Sequence, residues 1–310
     1  DRWQNPDCEI YNFIGKDNIS FHSVFFPAMT IANGKYNLAH NVVGFNFMTF
    51  NGQKFSKSKK IGVFCDALLT SDIDVDTLRA YLVTVFPENK DCDFRWENYK
   101  DVVNADLVGK FGNFFNRSLN MIYKNFEGKL DFEFDDEIKD AIANKNYDKL
   151  IELGLNEFDV EMIKAIVEYP ENISNLFAKT EFIKAYKEIM NFASVGNGYI
   201  EKSAPWSLIK NGDIESAKKV LYLCLCMAKS LCICAAPIIP NKTTAIWQEQ
   251  MNFAGAPTDA DIWQQAGKID IDKNHATLPP KPLFERVDDE MLEKRKQEFS
   301  QITDIKQYLI

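Results

Sequence analysis

Residues 105–126, ADLVGKFGNFFNRSLNMIYKNF, decide how the chain is read. Leu107, Phe111, Phe114, Phe115, Leu119, Ile122 and Phe126 recur at the three-and-four spacing of one helical face, which predicts a helix with a single buried stripe. The opposite face carries Asn113, Arg117, Asn120 and Lys124. Downstream, the same spacing predicts helices over 135–153, 157–168, 181–200, 214–236 and 241–251, with no strand signal between them. Such a run reads as an all-α helical bundle. Residues 255–282, rich in turn formers, read as a surface loop, and 288–309 as a charged amphipathic final helix.

Upstream the period changes. Glu9–Ile14 reads as a short strand ending at Gly15. Asp17 is placed to cap a helix that carries Phe21, Val24, Phe25 and Met29, and Asn33-Gly34 ends it. Val42–Phe50 reads as the next strand, followed by the turn Asn51-Gly52. The expected architecture is therefore an α/β segment followed by a helical bundle.

Of the 310 residues, 46% are hydrophobic and 26% charged, which excludes a largely disordered chain. The formal net charge of −9 argues against non-specific grip on nucleic acid, which needs a broad basic surface, and leaves room for a locally basic RNA site. Seven cysteines show no small-domain framework, so reduced thiols in a cytoplasmic compartment are expected. Cys224, Cys226, Cys232 and Cys234 form two Cys-X-Cys pairs that invite a zinc reading. They fall in the apolar run Val220–Pro240, where a core helix is the better reading, and no metal site is expected. Lys229 and Ser230 interrupt that run and Pro237 and Pro240 close it, so it is not read as a membrane span. Residues 1–6 lack an apolar segment, so no signal peptide is expected.

Three features carry candidate chemistry. Lys54-Phe55-Ser56-Lys57-Ser58-Lys59-Lys60 is a cationic, hydroxyl-bearing loop suited to a polyphosphate, although a lysine-rich loop taken alone is more often a solvated one. Phe13-Ile14-Gly15-Lys16-Asp17-Asn18 is a strand-to-helix turn where backbone can approach an anion; alone it is an ordinary turn. Asn18, His22 and Phe26 share one helical face and could line a pocket on the sheet, against the common alternative of a packed core histidine.

Together these residues resemble the methionyl-tRNA synthetase family, a class I aminoacyl-tRNA synthetase family. Residues 13–18 with Phe21-His22-Ser23 and Phe26-Pro27-Ala28-Met29 look like its second ATP/methionine segment. Lys54-Phe55-Ser56-Lys57-Ser58 looks like the Lys-Met-Ser-Lys-Ser signature, with Phe55 in the place of Met; with Ile61-Gly62-Val63-Phe64 it resembles the eukaryotic cytosolic version. Gly112-Asn113-Phe114-Phe115-Asn116-Arg117 and Ala204-Pro205-Trp206 look like two segments of the family's anticodon-binding bundle.

The resemblance implies a methionine–tRNA ligase acting through methionyl-adenylate, with ATP and Mg²⁺ as the substrate complex, and with L-methionine and methionine tRNA as partners. By the same match, Lys54 and Lys57 would be catalytic. Gly15, Lys16, Asp17, Ser56 and Ser58 would bind ATP, and Asn18, His22 and Phe26 would line the methionine pocket. Asn113, Arg117 and Trp206 would read the CAU anticodon. Residues 1–65 would be the C-terminal part of a Rossmann-type catalytic domain and 66–104 a connecting region, with Trp96 structural. Residues 105–255 would be the anticodon-binding domain, and 256–310 a loop and helix packing back on the body. The family's His-X-Gly-His motif, its zinc-bearing insertion and its first strands are not found, so the missing N-terminal half of the same enzyme is an implied partner, and the isolated chain is expected to bind RNA better than it catalyses. Two alternatives stand beside this: an anticodon-binding module without ligase activity of its own, and a class I synthetase for another amino acid.

Overall fold

Strands this short bury little alone and must pair. In the computed structural model, which describes residues 2–300, β1 (Tyr11–Gly15) lies parallel to β2 (Asn41–Phe45), with Tyr11 opposite Asn41 and Gly15 opposite Phe45. Parallel pairing demands a crossover, supplied by a 3₁₀ turn at Lys16–Asn18, a π-helical turn at Phe21–Phe25 and α1 (Phe26–Asn33). Asp17 is not the N-cap expected. Gly15 takes that position and Asp17 falls inside the first turn. Its carboxylate folds back over Gly15, where a Cβ would lie 2.6 Å from Oδ1.

The single strand expected over Val42–Phe50 is two strands in different sheets. It breaks at Asn46-Phe47, because the backbone groups there are bonded elsewhere. Asn46 N–H donates to Pro87 O (2.9 Å), and Phe47 N–H donates to Asp91 Oδ1 (2.9 Å). Beyond the break, β3 (Met48–Phe50) lies between β4 (Gln53–Lys54), antiparallel, and β5 (Cys92–Phe94), parallel. Trp96 is buried with its ring edge-on to Phe94 (5.1 Å) and Phe299 (5.4 Å). These elements belong to the first of two compact units, which comprises residues up to 71, 84–96 and those from 295; the second comprises 72–83 and 97–294.

The second unit is helical. It holds most of α2 (Val75–Thr84), and the long apolar stripe forms one continuous run of α3 (Trp96–Val102), a π-helical stretch over Val103–Gly112, and α4 (Asn113–Phe126). Leu107, Phe111, Phe114, Phe115, Leu119 and Ile122 are all buried, as the spacing requires. The helix expected over 135–153 is two, α5 (Asp136–Ala143) and α6 (Tyr147–Glu152), parted where Lys145 turns into the left-handed region (φ 52°) and Asn146 caps α6 through Lys149 N–H. α7 (Glu157–Ala178) runs ten residues past its expected end, carrying Pro170 in its interior, and packs against α8 (Phe182–Ser203). Then come α9 (Pro205–Lys210), α10 (Ile214–Ala235), α11 (Pro240–Glu249), a 3₁₀ turn at Ile262–Gln265 and α12 (Asp289–Phe299), which from residue 295 on belongs to the first unit. The rest of the expected 288–309 helix lies outside the described residues, apart from Ser300, which is past α12.

Helix α10 is the core of this unit. Its four cysteines are buried, and burial pushes their thiols up, Cys226 to about 12. The polar interruption is satisfied in place. Lys229 pairs with Asp270, and Ser230 Oγ accepts from Gly267 N–H (3.0 Å). The irregular segment 252–288 is less superficial than expected. Ile271, Thr277, Leu283 and Val287 are buried, and Asn104 bonds both backbone groups of Val287 (2.8 and 2.9 Å). A carboxylate from another helix starts α11: buried Asp76 accepts Lys242 N–H (2.6 Å) and Asn241 Nδ2 (3.2 Å).

Two backbone features position the site. Gly196 of α8 faces α4 and α10 so closely that a Cβ there would lie 2.5 Å from the Phe114 ring and 2.6 Å from Met227 Sδ. Between α8 and α9, Ala204 sits in the left-handed region (φ 43°, ψ 56°), followed by Pro205 at the first position of α9. Gly196→Ala is expected to destabilise the second unit by about 1–3 kcal/mol, the cost of overpacking a filled core, seen as a lower urea midpoint.

Candidate functional site

The sequence-derived candidates fall into two clusters, one in each unit. In the first unit, Lys16 leaves the β1 turn and is held from three sides. Its Nζ lies 2.8 Å from Asp91 Oδ1, 3.3 Å from Asn46 Oδ1, and 4.7 Å from the centroid of the Phe47 ring. The Lys16 hydrogen bond, helped by Phe47 N–H, holds the Asp91 carboxyl below the usual carboxylate range. Asp91 and Asn46, which sequence reasoning missed, thus fix the lysine where β2 gives way to β3. Phe26 lines a hollow of about 340 Å³ with Trp3, Met29, Thr30, Asn33 and Tyr36, its ring edge-on to Trp3 at 5.7 Å. Asn18 and His22 are not among the residues lining it. Asn18 is exposed and His22 half-buried.

Lys54 ends β4, and the lysine loop folds back on itself. Ser56 and Ile61 exchange backbone hydrogen bonds (2.9 Å each way), and Ser56 Oγ lies 3.4 Å from Ser58 Oγ. Gly62 (φ 151°) lets the Phe55 ring lie where a Cβ would otherwise sit, 2.7 Å away, and Phe50 adds a second ring at 6.1 Å. Phe55 therefore anchors the loop, while Lys54, Lys57, Lys59 and Lys60 stay exposed. The turn at the base of the loop is tied by Asp93. Its Oδ1 accepts Gly52 N–H (2.8 Å) and Thr49 Oγ1 (2.8 Å), and its Oδ2 accepts Arg95 Nε (2.7 Å).

In the second unit, Asn113, Arg117 and Trp206 come together through α8. Asn113 Nδ2 donates to Asn197 Oδ1 (2.8 Å), and Arg117 Nη2 donates to Glu201 Oε2 (2.7 Å). The Arg117 guanidinium lies 5.7 Å from the Trp206 ring, whose side chain is 45% exposed. An exposed indole beside a cation, next to two amide side chains, offers a stacking surface flanked by hydrogen-bonding groups. Arg117, Asn116, Asn120, Met121, Lys124 and Asn125 line an open hollow of about 470 Å³ alongside. Asn120 is the weaker member of this face, since its Nδ2 donates to Asn116 O and Oδ1 of its own helix.

Asn197 and Glu201, which hold Asn113 and Arg117, are neighbours that sequence reasoning missed. A signal existed in Gly196-Asn197-Gly198: two glycines inside a helix cost stability relative to alanine and point to a packing reason. The buried side of the same helix is locked by Tyr199. Its hydroxyl donates to Asp159 Oδ1 (2.7 Å), and Asp159 Oδ2 pairs with Lys219 (2.6 Å). Burial, reinforced by Asp159, pushes the Tyr199 hydroxyl well above its ordinary value.

Comparison with known proteins gives a concordant result. A family model for class I tRNA synthetases of the methionyl type matches residues 1–119, and one for the anticodon-binding domain of methionyl tRNA ligase matches 154–304. The chain is similar to the methionine–tRNA ligase of Sulfolobus acidocaldarius, 33% identical over 287 residues, which is 92% of this chain and 46% of that protein. It is also similar to that of Bacteroides fragilis, 31% identical over 297 residues, 95% and 40% respectively. Among solved structures it resembles the Mycobacterium tuberculosis methionyl-tRNA synthetase in complex with methionyl-adenylate, with TM-score 0.74 and 22% identity over 91% of this chain and 50% of that one. At that identity the likeness shows the fold. The chain spans half or less of the length of these relatives.

Asp93 yields a pH test of the lysine-loop anchor. The Gly52 N–H bond comes first, with the Thr49 and Arg95 bonds behind it, in holding its carboxyl below the usual range. A depressed folded-state value means that the anchoring stability is present above the ordinary aspartate range and is lost as pH falls through the folded value. Titration followed by NMR is expected to show the Asp93 carboxyl titrating below a model aspartate, with the Gly52 amide shifting in the same step. Asp93→Asn should abolish that step.

Proposed function

Because the chain belongs to the methionyl-tRNA synthetase family of class I synthetases, we propose that it is the signature-loop and anticodon-binding portion of a methionine–tRNA ligase. In this reading residues 1–65 complete a catalytic domain, 66–104 connect it, 105–255 bind the anticodon, and 256–310 form a C-terminal extension of which the described residues end at 300. The observation that carries the tRNA half is the Arg117 guanidinium, held by Glu201 beside the exposed Trp206 with Asn113 one turn away. The match over residues 1–119, which includes the whole lysine loop, favours a ligase over a binding module that would have no use for that loop.

The chemistry assigned to the first unit is adenylate formation. The methionine carboxylate attacks the α-phosphorus of ATP, the bond to the bridging oxygen breaks, and pyrophosphate leaves. Lys54 and Lys57 offset the negative charge that builds on the pyrophosphate, with Ser56 and Ser58 donating to its oxygens. In this reading Gly15, Lys16 and Asp17 bind the nucleotide, and Asn18, His22 and Phe26 border the methionine, of which Phe26 alone lines the hollow described above. Lys16 would exchange its Asp91 contact for an ATP contact. That pair is exposed on both sides, and such pairs are held weakly. Mg²⁺ enters with ATP as part of the substrate; no group of three His, Cys, Asp or Glu side chains among the described residues is arranged to hold an ion.

The remainder of the synthetase would close the ATP site from the opposite side. The exposed apolar face of the first unit supports such a neighbour. Phe21, Val24, Phe25, Met29 and Ile31 are each more than half exposed, a patch that a soluble surface rarely leaves uncovered. No helix among the described residues is long and apolar enough to cross a membrane, and all seven cysteines are free, which fits a reducing, cytoplasmic setting.

At fixed salt, the chain should bind a methionine tRNA and lose much of that affinity when the first anticodon base, the C, is replaced; equal binding to both would overturn the anticodon reading. Trp206→Ala, with an unchanged thermal melt, is expected to weaken binding by about 1–3 kcal/mol, the range for one stacked base.

A further inference from the structure

Asn197 is half-buried, and its hydrogen bonds decide what Asn113 can offer. Its Nδ2 donates to two backbone carbonyls, Lys110 O (2.9 Å) and Ala193 O (3.0 Å). An amide turned the other way would aim its oxygen at both carbonyls, so the network fixes the orientation of this side chain. Asn197 Oδ1 must then point at Asn113, and Asn113 must answer with its Nδ2, at 2.8 Å. That leaves Asn113 with its Oδ1 and one amide N–H unspent, and settles on which side of the amide the oxygen lies. That oxygen accepts no hydrogen bond from the described residues and is not buried.

The π-helical stretch and Gly196 make this arrangement possible. The π-helical stretch, Val103–Gly112, ends just before Asn113, whose N–H is shared between Val108 O and Lys110 O. The carbonyl of Lys110 lies at the change from wide to ordinary turns and also receives the Asn197 amide. Such wide turns recur at functional sites. The segment is tied to α8 a second time by Asp106, which pairs with Lys110 through Oδ1 (2.7 Å) and accepts the Tyr186 hydroxyl on Oδ2 (3.2 Å). The missing side chain at 196 lets α8 come close enough for Asn197 to span the gap.

We propose that Asn197 is a positioning residue that fixes which way the Asn113 amide is turned, with its Oδ1 left free to accept, and so sets base preference at the anticodon site. This rests on the anticodon reading above. With Asn113 offering an acceptor and Arg117 keeping N–H groups beyond the one on Glu201, the pair complements a base edge with an amine beside acceptors. Cytosine has that edge. Uracil, with a carbonyl in the place of the amine, sets oxygen against oxygen.

The test compares the unaltered chain with Asn197→Ala and Asn197→Asp, each checked for folding by circular dichroism. Binding is measured at one salt concentration to a methionine tRNA transcript and to the same transcript with the first anticodon base changed from C to U. The unaltered chain is expected to favour C by about ten-fold or more, within the range for one well-placed base contact. In Asn197→Ala the Asn113 amide is free to turn, and the preference should fall at least about five-fold through tighter binding of the U transcript relative to C. Asn197→Asp keeps an acceptor facing Asn113 and should retain the preference while melting at lower temperature. An alanine variant with full preference, or a folded aspartate variant that loses it as alanine does, would overturn the role of Asn197. No preference in the unaltered chain would instead overturn the anticodon reading on which the role rests.

Discussion

The second unit depends on how near two helices approach. Position 196 has no side chain, and the Phe114 ring and Met227 occupy the space a methyl group would need. The face that carries Asn113, Arg117 and Trp206 is built on that close approach. Asn197 reaches a carbonyl of the π-helical stretch, Glu201 reaches Arg117 one turn later, and the chain then leaves α8 through Ala204 to present Trp206. The buried side of α8 is held separately by Tyr199 on Asp159 and Lys219, so the helix is fixed on both faces. Each hydrogen bond made on these two faces narrows the arrangements open to the side chains that share it.

The first unit solves a different problem, which is to hold a cluster of cations on a short loop. Four lysines in seven residues repel one another, and no carboxylate pairs directly with Lys54 or Lys57 among the described residues. The loop is secured instead by groups of no net charge and by one remote anion. Phe55 packs against Gly62 and Phe50, Ser56 pairs with Ile61 through the backbone, and Asp93 ties the turn at the base. The lysine charges are left available for a ligand because other residues supply the anchoring. The substitution of Phe for the Met of the family signature fits this division, since a ring fills the space over Gly62.

The sequence made some of this legible and hid the rest for identifiable reasons. The apolar stripe from Leu107 to Ile122 was readable because its spacing is a direct consequence of one buried face. Asn113, Arg117 and Trp206 were readable from motif resemblance, although their meeting depends on α8, which lies far along the chain. The break at Asn46 was hidden. It depends on bonds to Pro87 and Asp91, some forty residues away, and no local pattern reports them. The π-helical stretch was hidden too, since an apolar stripe tolerates wide and ordinary turns alike. Asn197 carried a faint signal in its flanking glycines. Its role becomes visible only when the donors and acceptors around it are counted.

The corner between α8 and α9 has a consequence for how Trp206 is presented. Alanine in the left-handed region carries a strain of about 1–2 kcal/mol, and the proline that follows allows its backbone almost no freedom. Folding, not the arrival of a ligand, imposes that conformation. The backbone that carries Trp206 is therefore set beforehand, and on the proposed anticodon reading an incoming base would meet a corner whose main chain does not have to be rearranged. On that reading, changes at this corner should register in the association rate as well as in the lifetime of the complex.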